Sequence, residues 1–219
     1  MDIQLLPQPE RAIAKASFKA EDKAIAQAGA MVTMTGNLSV STTLRSGRTF
    51  SQAKGWQGQA TPKALFLNQF HAAAPGHLLL APPLPGTLMV HPLTRQGLIA
   101  SSLGYLASTA TIELNLDAQL PHCLNDKAMT PAHQFWLTLT GQGPVLLTGL
   151  GGLYAIDVTE DYQVAPRHVV AFEASLAVTL RSTSSSRSRT WLGDDQRICY
   201  FQGQGKVYCQ THNGLVLGK

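Results

Sequence analysis

The same arrangement of apolar strands and glycine turns is written three times along this chain, which confines it to folds whose neighbouring copies cover one another's apolar faces. One element is a short apolar strand, a break, and a second strand with alternating side chains. It runs from Ile25 through Gly29-Ala30-Met31-Val32-Thr33-Met34 to Leu38-Ser39-Val40-Ser41, and from Ile99 through Leu103-Gly104-Tyr105-Leu106-Ala107 to residues 112–116. A third copy runs from Val164 through residues 168–172 to residues 176–180. The other element is strand, glycine turn, strand. Its clearest copies are Gly141-Gln142-Gly143-Pro144-Val145-Leu146-Leu147-Thr148 and Gly203-Gln204-Gly205-Lys206-Val207-Tyr208-Cys209-Gln210. A looser copy leads from residues 66–70 through Pro75-Gly76 into Leu78-Leu79-Leu80. Glycine suits such turns because tight hairpins need positive φ, which a Cβ penalises.

The order of elements is offset. The chain opens on half a repeat and closes, at residues 198–210, on the complementary half, so the first repeat is expected to be completed by the C-terminal strands within a single domain over residues 1–219. One blade or small sheet per repeat around a shared axis gives a pseudo-threefold arrangement. Two repeats packed together with a third appended fit the sequence equally well.

Side-chain periodicity predicts strands almost throughout. Leu114 and Leu116 alternate with Glu113 and Asn115, and Leu176, Val178 and Leu180 alternate with Ala177 and Thr179, the period-two signature of a half-buried strand. Residues 11–28 are rich in Ala, Lys and Glu, which favour helix. Yet Ala14, Ala16, Phe18 and Ala20 alternate with Lys15, Ser17 and Lys19, and that period predicts a strand.

Of the 219 residues, 44% are apolar and 14% charged, the balance of a globular chain rather than a disordered one. The net charge of +4 points weakly toward an acidic partner. Its one cluster is Arg181, Arg187 and Arg189, in a run over residues 181–190 that is otherwise Ser and Thr. Such a loop would wrap phosphate or an anionic lipid surface, or simply connect two strands. Neither a secretory leader nor an apolar stretch of the ~18 residues a membrane span needs is visible, so a cytoplasmic, soluble chain is expected, with peripheral membrane contact the remaining membrane reading. The three cysteines, Cys123, Cys199 and Cys209, form no Cys-x-x-Cys pair, and Cys199 and Cys209 sit in strand-patterned runs as reduced core thiols.

Catalytic signatures are missing: no nucleophile elbow, phosphate loop, dinucleotide fingerprint or His-Glu-x-x-His run occurs. No catalytic residue, cofactor or metal is therefore expected. Gly149-Leu150-Gly151-Gly152 precedes a strand, whereas an anion cradle needs a helix N-terminus after it. His122, Cys123 and His133, joined by Asp126, have metal-binding chemistry but no metal-site spacing, and read as loop residues. His168, between Pro166-Arg167 and the apolar Val169-Val170-Ala171-Phe172, reads as a structural histidine or as a ligand-facing turn residue. The acid pairs Glu21-Asp22, Glu160-Asp161 and Asp194-Asp195 read as solvated turns, and the proline-rich stretch over residues 78–92 as core strands flanking a turn.

Several stretches resemble a known family. They are Gly29-Ala30-Met31-Val32, Leu80-Ala81-Pro82-Pro83-Leu84-Pro85-Gly86 followed by Leu88-Met89-Val90, Tyr105-Leu106-Ala107-Ser108, His168-Val169-Val170-Ala171-Phe172, and the run from Gly203 to Thr211. In these the chain resembles the bacterial relatives of the yeast altered-inheritance-of-mitochondria protein, whose fold is likened to the tryptophan RNA-binding attenuator protein. It departs from them in lacking a Gly-Glu pair before each hairpin, which only Gly193-Asp194 approaches, and in its own loops over residues 45–60 and 117–133. The resemblance implies an all-β, double-stranded β-helix-like sandwich architecture with no transferable cofactor or catalytic residue. The eukaryotic relative's tie to inner-membrane organisation implies a non-enzymatic scaffold or protein-binding role, with self-association through exposed sheet edges. Two alternatives stand beside it: a nucleic-acid-binding module using Arg181, Arg187 and Arg189, and a small-ligand binder with a cleft between repeats near His168.

Overall fold

The computed structural model describes residues 1–6, 12–46, 64–116, 120–126, 128–130, 134–182 and 197–213. These are nearly all strand, joined by turns and two short 3₁₀ segments, His122–Asn125 and Pro166–His168.

The first seven strands are β1 (Asp2–Leu6), β2 (Ile13–Phe18), β3 (Lys23–Gln27), β4 (Met31–Met34), β5 (Leu38–Ser46), β6 (Ala64–Ala72) and β7 (Gly76–Leu80). Residues 13–27 thus form two strands around a turn, and the helical propensity of this stretch's composition loses to the period-two pattern. Ala14, Ala16 and Phe18 of β2 face inward, as do Ala24 and Ala26 of β3, with Lys15 and Ser17 turned away. The next six are β8 (Gly86–Leu93), β9 (Leu98–Ser101), β10 (Tyr105–Thr109), β11 (Glu113–Asn115), β12 (Trp136–Thr140) and β13 (Gly143–Leu150). The last six are β14 (Leu153–Val158), β15 (Asp161–Val164), β16 (Val169–Glu173), β17 (Ala177–Ser182), β18 (Arg197–Gln202) and β19 (Gly205–Gln210).

These strands make four antiparallel sheets. In order they are β1-β2-β7-β4, then β5-β6-β3-β10-β13-β8, then β11-β12-β9-β16-β19-β14, and finally β15-β18-β17. The order β2-β7-β4 reappears as β8-β13-β10 and as β14-β19-β16, while β5-β6-β3 reappears as β11-β12-β9 and β17-β18-β15. The strands β18 and β19, expected to complete the first repeat, pair instead with β14 to β17. The reason is local: each hairpin closes onto strands contributed by its own stretch of chain, at small loop-closure cost.

Three apolar clusters fill the spaces between successive sheets. Phe18, Leu78 and Leu80 of the first sheet meet Phe70, Leu106 and Leu146 of the second. Leu67, Tyr105, Val145 and Leu147 of the second meet Leu98, Leu137 and Tyr208 of the third. Phe172, Val207 and Cys209 of the third meet Val164, Cys199 and Phe201 of the fourth. The two central sheets are covered on both faces, so β9 is buried at every position and β10 at four of its five. Removing each such Leu, Val or Phe side chain from water contributes about 1.5–3 kcal/mol.

Polar groups inside are paired. The hydroxyl of Tyr105 lies 3.0 Å from the Ser108 Oγ, and the Trp136 indole N–H donates to the Met129 carbonyl at 3.2 Å. His91 on β8, only 4% exposed, lies edge-on to Tyr208 on β19 with Nδ1 2.5 Å from the phenol oxygen. The hairpin glycines adopt the expected positive φ at Gly141 (114°) and Gly203 (109°). The proline-rich stretch is a turn between β7 and β8, as expected.

Candidate interaction surface

The β3–β4 corner places four uncovered residues at the rim of the first sheet. Gly29 turns the chain with φ 88°. The Ala28 N–H donates to the Phe66 carbonyl at 2.9 Å, and the Ala81 N–H to the Ala30 carbonyl at 2.9 Å, which ties the corner to β6 on one side and to the end of β7 on the other. Ala30 is buried, and the strand beyond it is not. Met31, Val32 and Met34 are 39%, 49% and 36% exposed. Across the corner, Val40 and Leu44 on β5 and Phe66 on β6 also stand exposed, with Leu44 directly opposite Phe66 in the ladder. Exposed large apolar side chains on and beside an open strand edge are candidates for a contact site.

The strands in matching places elsewhere are covered. β10 pairs with β13 on one side and β3 on the other, and β16 pairs with β19 and β9. β4 pairs with β7 alone among the described residues, and β15 with β18 alone. In β15, Asp161, Tyr162 and Gln163 are exposed while Val164 reaches the core. Both strands therefore present a row of backbone N–H and C=O groups along one edge, the commonest template for adding another strand. This surface was not singled out by sequence pattern, because β4 reads as apolar as its buried counterparts.

The residues singled out by sequence are held in structural roles or fall outside the described residues. His168 ends the 3₁₀ turn before β16, and its Nδ1 donates to the Gln210 carbonyl at 2.7 Å, which fixes the ring against β19. Beside it, a small cleft is lined by Gln27, Leu103, Thr148, Arg167 and Gln210. Both ends of the Gln210 amide are committed there, Nε2 donating to the Arg167 carbonyl and Oε1 accepting from the Leu150 N–H, each at 3.0 Å. Gln27 donates through Nε2 to the Ser102 carbonyl. The described lining of this cleft contains no carboxylate, histidine or cysteine.

Arg181 lies in β17, not in a loop, and its guanidinium stacks 4.2 Å from the Tyr200 ring centre. Arg187 and Arg189 lie outside the described residues. His122, Cys123 and Asp126 share a surface groove with Arg197. The Asp126 carboxylate is paired with Arg197, and the Cys123 thiol donates to the Val178 carbonyl at 3.5 Å; His133 is outside the described residues. Among the described residues no group of three His, Cys, Asp or Glu side chains is placed to hold a metal. Burial pushes the thiols of Cys199 and Cys209 up to about 12. Glu21 and Asp22 form the β2–β3 turn, where Glu21 meets His71 at 3.1 Å and the Lys19 N–H donates to Asp22 at 2.8 Å.

Fold and surface together define an all-β, multi-sheet protein with strand edges open among the described residues and apolar side chains exposed beside one of them. Residues 3–212 match the family model described as mitochondrial biogenesis AIM24, and the chain belongs to that family. Its fold is similar to the X-ray crystal structure of protein SPYM3_0169 from Streptococcus pyogenes, with a TM-score of 0.70 and 17% identity over 97% of this chain and 94% of that one. A search of curated proteins gives no match. No helix among the described residues is long and apolar enough to cross a membrane.

Proposed function

We propose that this chain is a non-enzymatic scaffold of three related β repeats, which holds protein partners through the exposed β4 strand and the apolar residues around it. The observation that carries the reading is the exposure of Met31, Val32 and Met34 on a strand paired along one side only. A repeated build is supported by an irregularity at matching places. A register shift falls between Met31 and Thr33 in β4, between Tyr105 and Ala107 in β10, and between Val169 and Ala171 in β16. The likeness to the attenuator protein and to a double-stranded β-helix belongs to the same reading, as does a cytoplasmic setting. The family's description as one of mitochondrial biogenesis fits a part in assembly better than a part in turnover of a metabolite.

The test is comparative capture. Tagged wild-type chain and the double variant Val32→Asp, Phe66→Lys are cross-linked in the native cells and purified, and partners are quantified by mass spectrometry. The variant is expected to retain its melting temperature and to lose its protein partners by about tenfold or more, the yield of ~1.4 kcal/mol at an interface. Equal partner recovery by both chains contradicts the reading.

A further inference from the structure

The two joints inside the chain specify a third. β10 meets β3 through Ala107↔Ala26, Ser108↔Ile25 and Thr109↔Ala24. β16 meets β9 through Ala171↔Ala100, Phe172↔Ile99 and Glu173↔Leu98. On one side of each joint the register is set by the bulge, and the bulge makes Thr33 the counterpart of Ala107 and Ala171. On the other side it is set by the core pairs Ala24↔Phe70, Leu98↔Leu139 and Tyr162↔Phe201, which make Val164 the counterpart of Ala26 and Ala100. These two assignments agree with a third marker: Val40, Leu114 and Val178 are the β5, β11 and β17 residues opposite Phe70, Leu139 and Phe201.

Resting on the scaffold reading above, we infer that the partner of the β4 edge is the β15 edge of a second copy of this chain, joined antiparallel in the register Thr33↔Val164, Met34↔Gln163 and Thr35↔Tyr162. Within one chain the two edges belong to the first and fourth sheets and do not pair with each other. Each copy thus carries one edge of each kind. The other edge strands among the described residues, β1, β5, β8, β11, β14 and β17, stay at the rims of their sheets. Only the β3-type and β4-type edges are joined wherever the chain supplies both, so the second copy is the occupant that continues an interface already built twice. The unjoined edges also lack the usual protection. β4 is Met-Val-Thr-Met, with neither charge nor proline, and β15 carries a single charge at its start. A joint of this kind is head to tail, and it generates a ring or a filament according to whether the rotation per copy closes.

Directly opposed residues in an antiparallel pair have Cα atoms about 4.5–5.5 Å apart, within the about 4.4–6.8 Å that a disulfide spans. Two chains are therefore made in a Cys123→Ser background, one with Met34→Cys and one with Gln163→Cys, mixed and oxidised. The mixture is expected to give a covalent dimer containing one chain of each kind, and a mixture of Thr33→Cys with Gln163→Cys, whose side chains leave opposite faces of the ladder, is expected to give little. Light scattering on the unmodified chain is expected to show a mass that rises with concentration. A constant monomer mass with no mixed dimer overturns the inference, as does a chain carrying both Met34→Cys and Gln163→Cys that closes on itself as a cross-linked monomer. If β4 variants still lose other protein partners while the chain stays monomeric, the scaffold reading survives and the second copy does not.

Discussion

His91 shows how a residue that is unremarkable in sequence becomes a pH-sensitive joint once folded. Burial holds its pKa below the ordinary histidine value, with Glu173 opposing and Lys206 assisting. The neutral ring is the form that the fold accepts, so the unfolded chain binds the proton more readily. The contribution is intact above about pH 6.5, the unfolded value, and is lost as pH falls below it. Chemical denaturation is therefore expected to show lower stability at pH 5 than at pH 7, and His91→Gln to flatten that slope; an unchanged slope would show that other groups set it. Cys199 and Cys209 give a second expectation at this scale. With thiols at about 12, about one molecule in 10⁴ carries a given thiolate at pH 8, and only the thiolate reacts. Alkylation is expected to spare both in the folded protein and to label both in denaturant. The reduced core thiols were legible from their strand-patterned neighbours. The His91–Tyr208 pair was not, because its partners are far apart in the chain and no local pattern links β8 to β19.

At the scale of single elements the sequence was most readable where one face of a strand is dry. Alternation located β2 despite its helix-forming composition, and Gly141 and Gly203 marked hairpins by the φ that their turns need. It was less readable where two glycines touch. Gly86 and Gly149 lie on paired strands so close that a Cβ on Gly86 would stand 1.9 Å from the Gly149 carbonyl oxygen. Backbone has nowhere to retreat, so Gly86→Ala is expected to cost about 1–3 kcal/mol as overpacking, read as a lower denaturation midpoint. A midpoint equal to wild type would mean that the strands separate more freely than their packing implies. Deleting the ring of Phe172, which is fully buried against Trp136 and Phe201, is expected to cost about 3–5 kcal/mol in Phe172→Ala. In the arginine run, which composition reads as a partner-binding loop or a plain strand connection, Arg181 lies in β17 with its guanidinium over the Tyr200 ring, while Arg187 and Arg189 lie outside the described residues.

For the whole molecule, the all-β character was legible, but the way distant strands share sheets was not. Each sheet in the middle is assembled from halves supplied by different stretches of chain, through β3 with β10 and β9 with β16. Periodicity identifies a strand and its faces, and it carries no information on which distant edge that strand meets. The same limit hid the candidate surface, since Met31-Val32-Thr33-Met34 and Tyr105-Leu106-Ala107-Ser108 look alike until one is seen exposed and the other buried. The proposed joint between copies would bury the β4 and β15 edges that stand open in the single chain. Hydrogen exchange of the β4 and β15 amides, followed by mass spectrometry across a dilution series, tests it most directly. Protection of both strands is predicted to approach that of β10 and β16 at high protein concentration and to fall on dilution, while β10 and β16 stay protected throughout. Fast exchange of β4 and β15 at every concentration would contradict it.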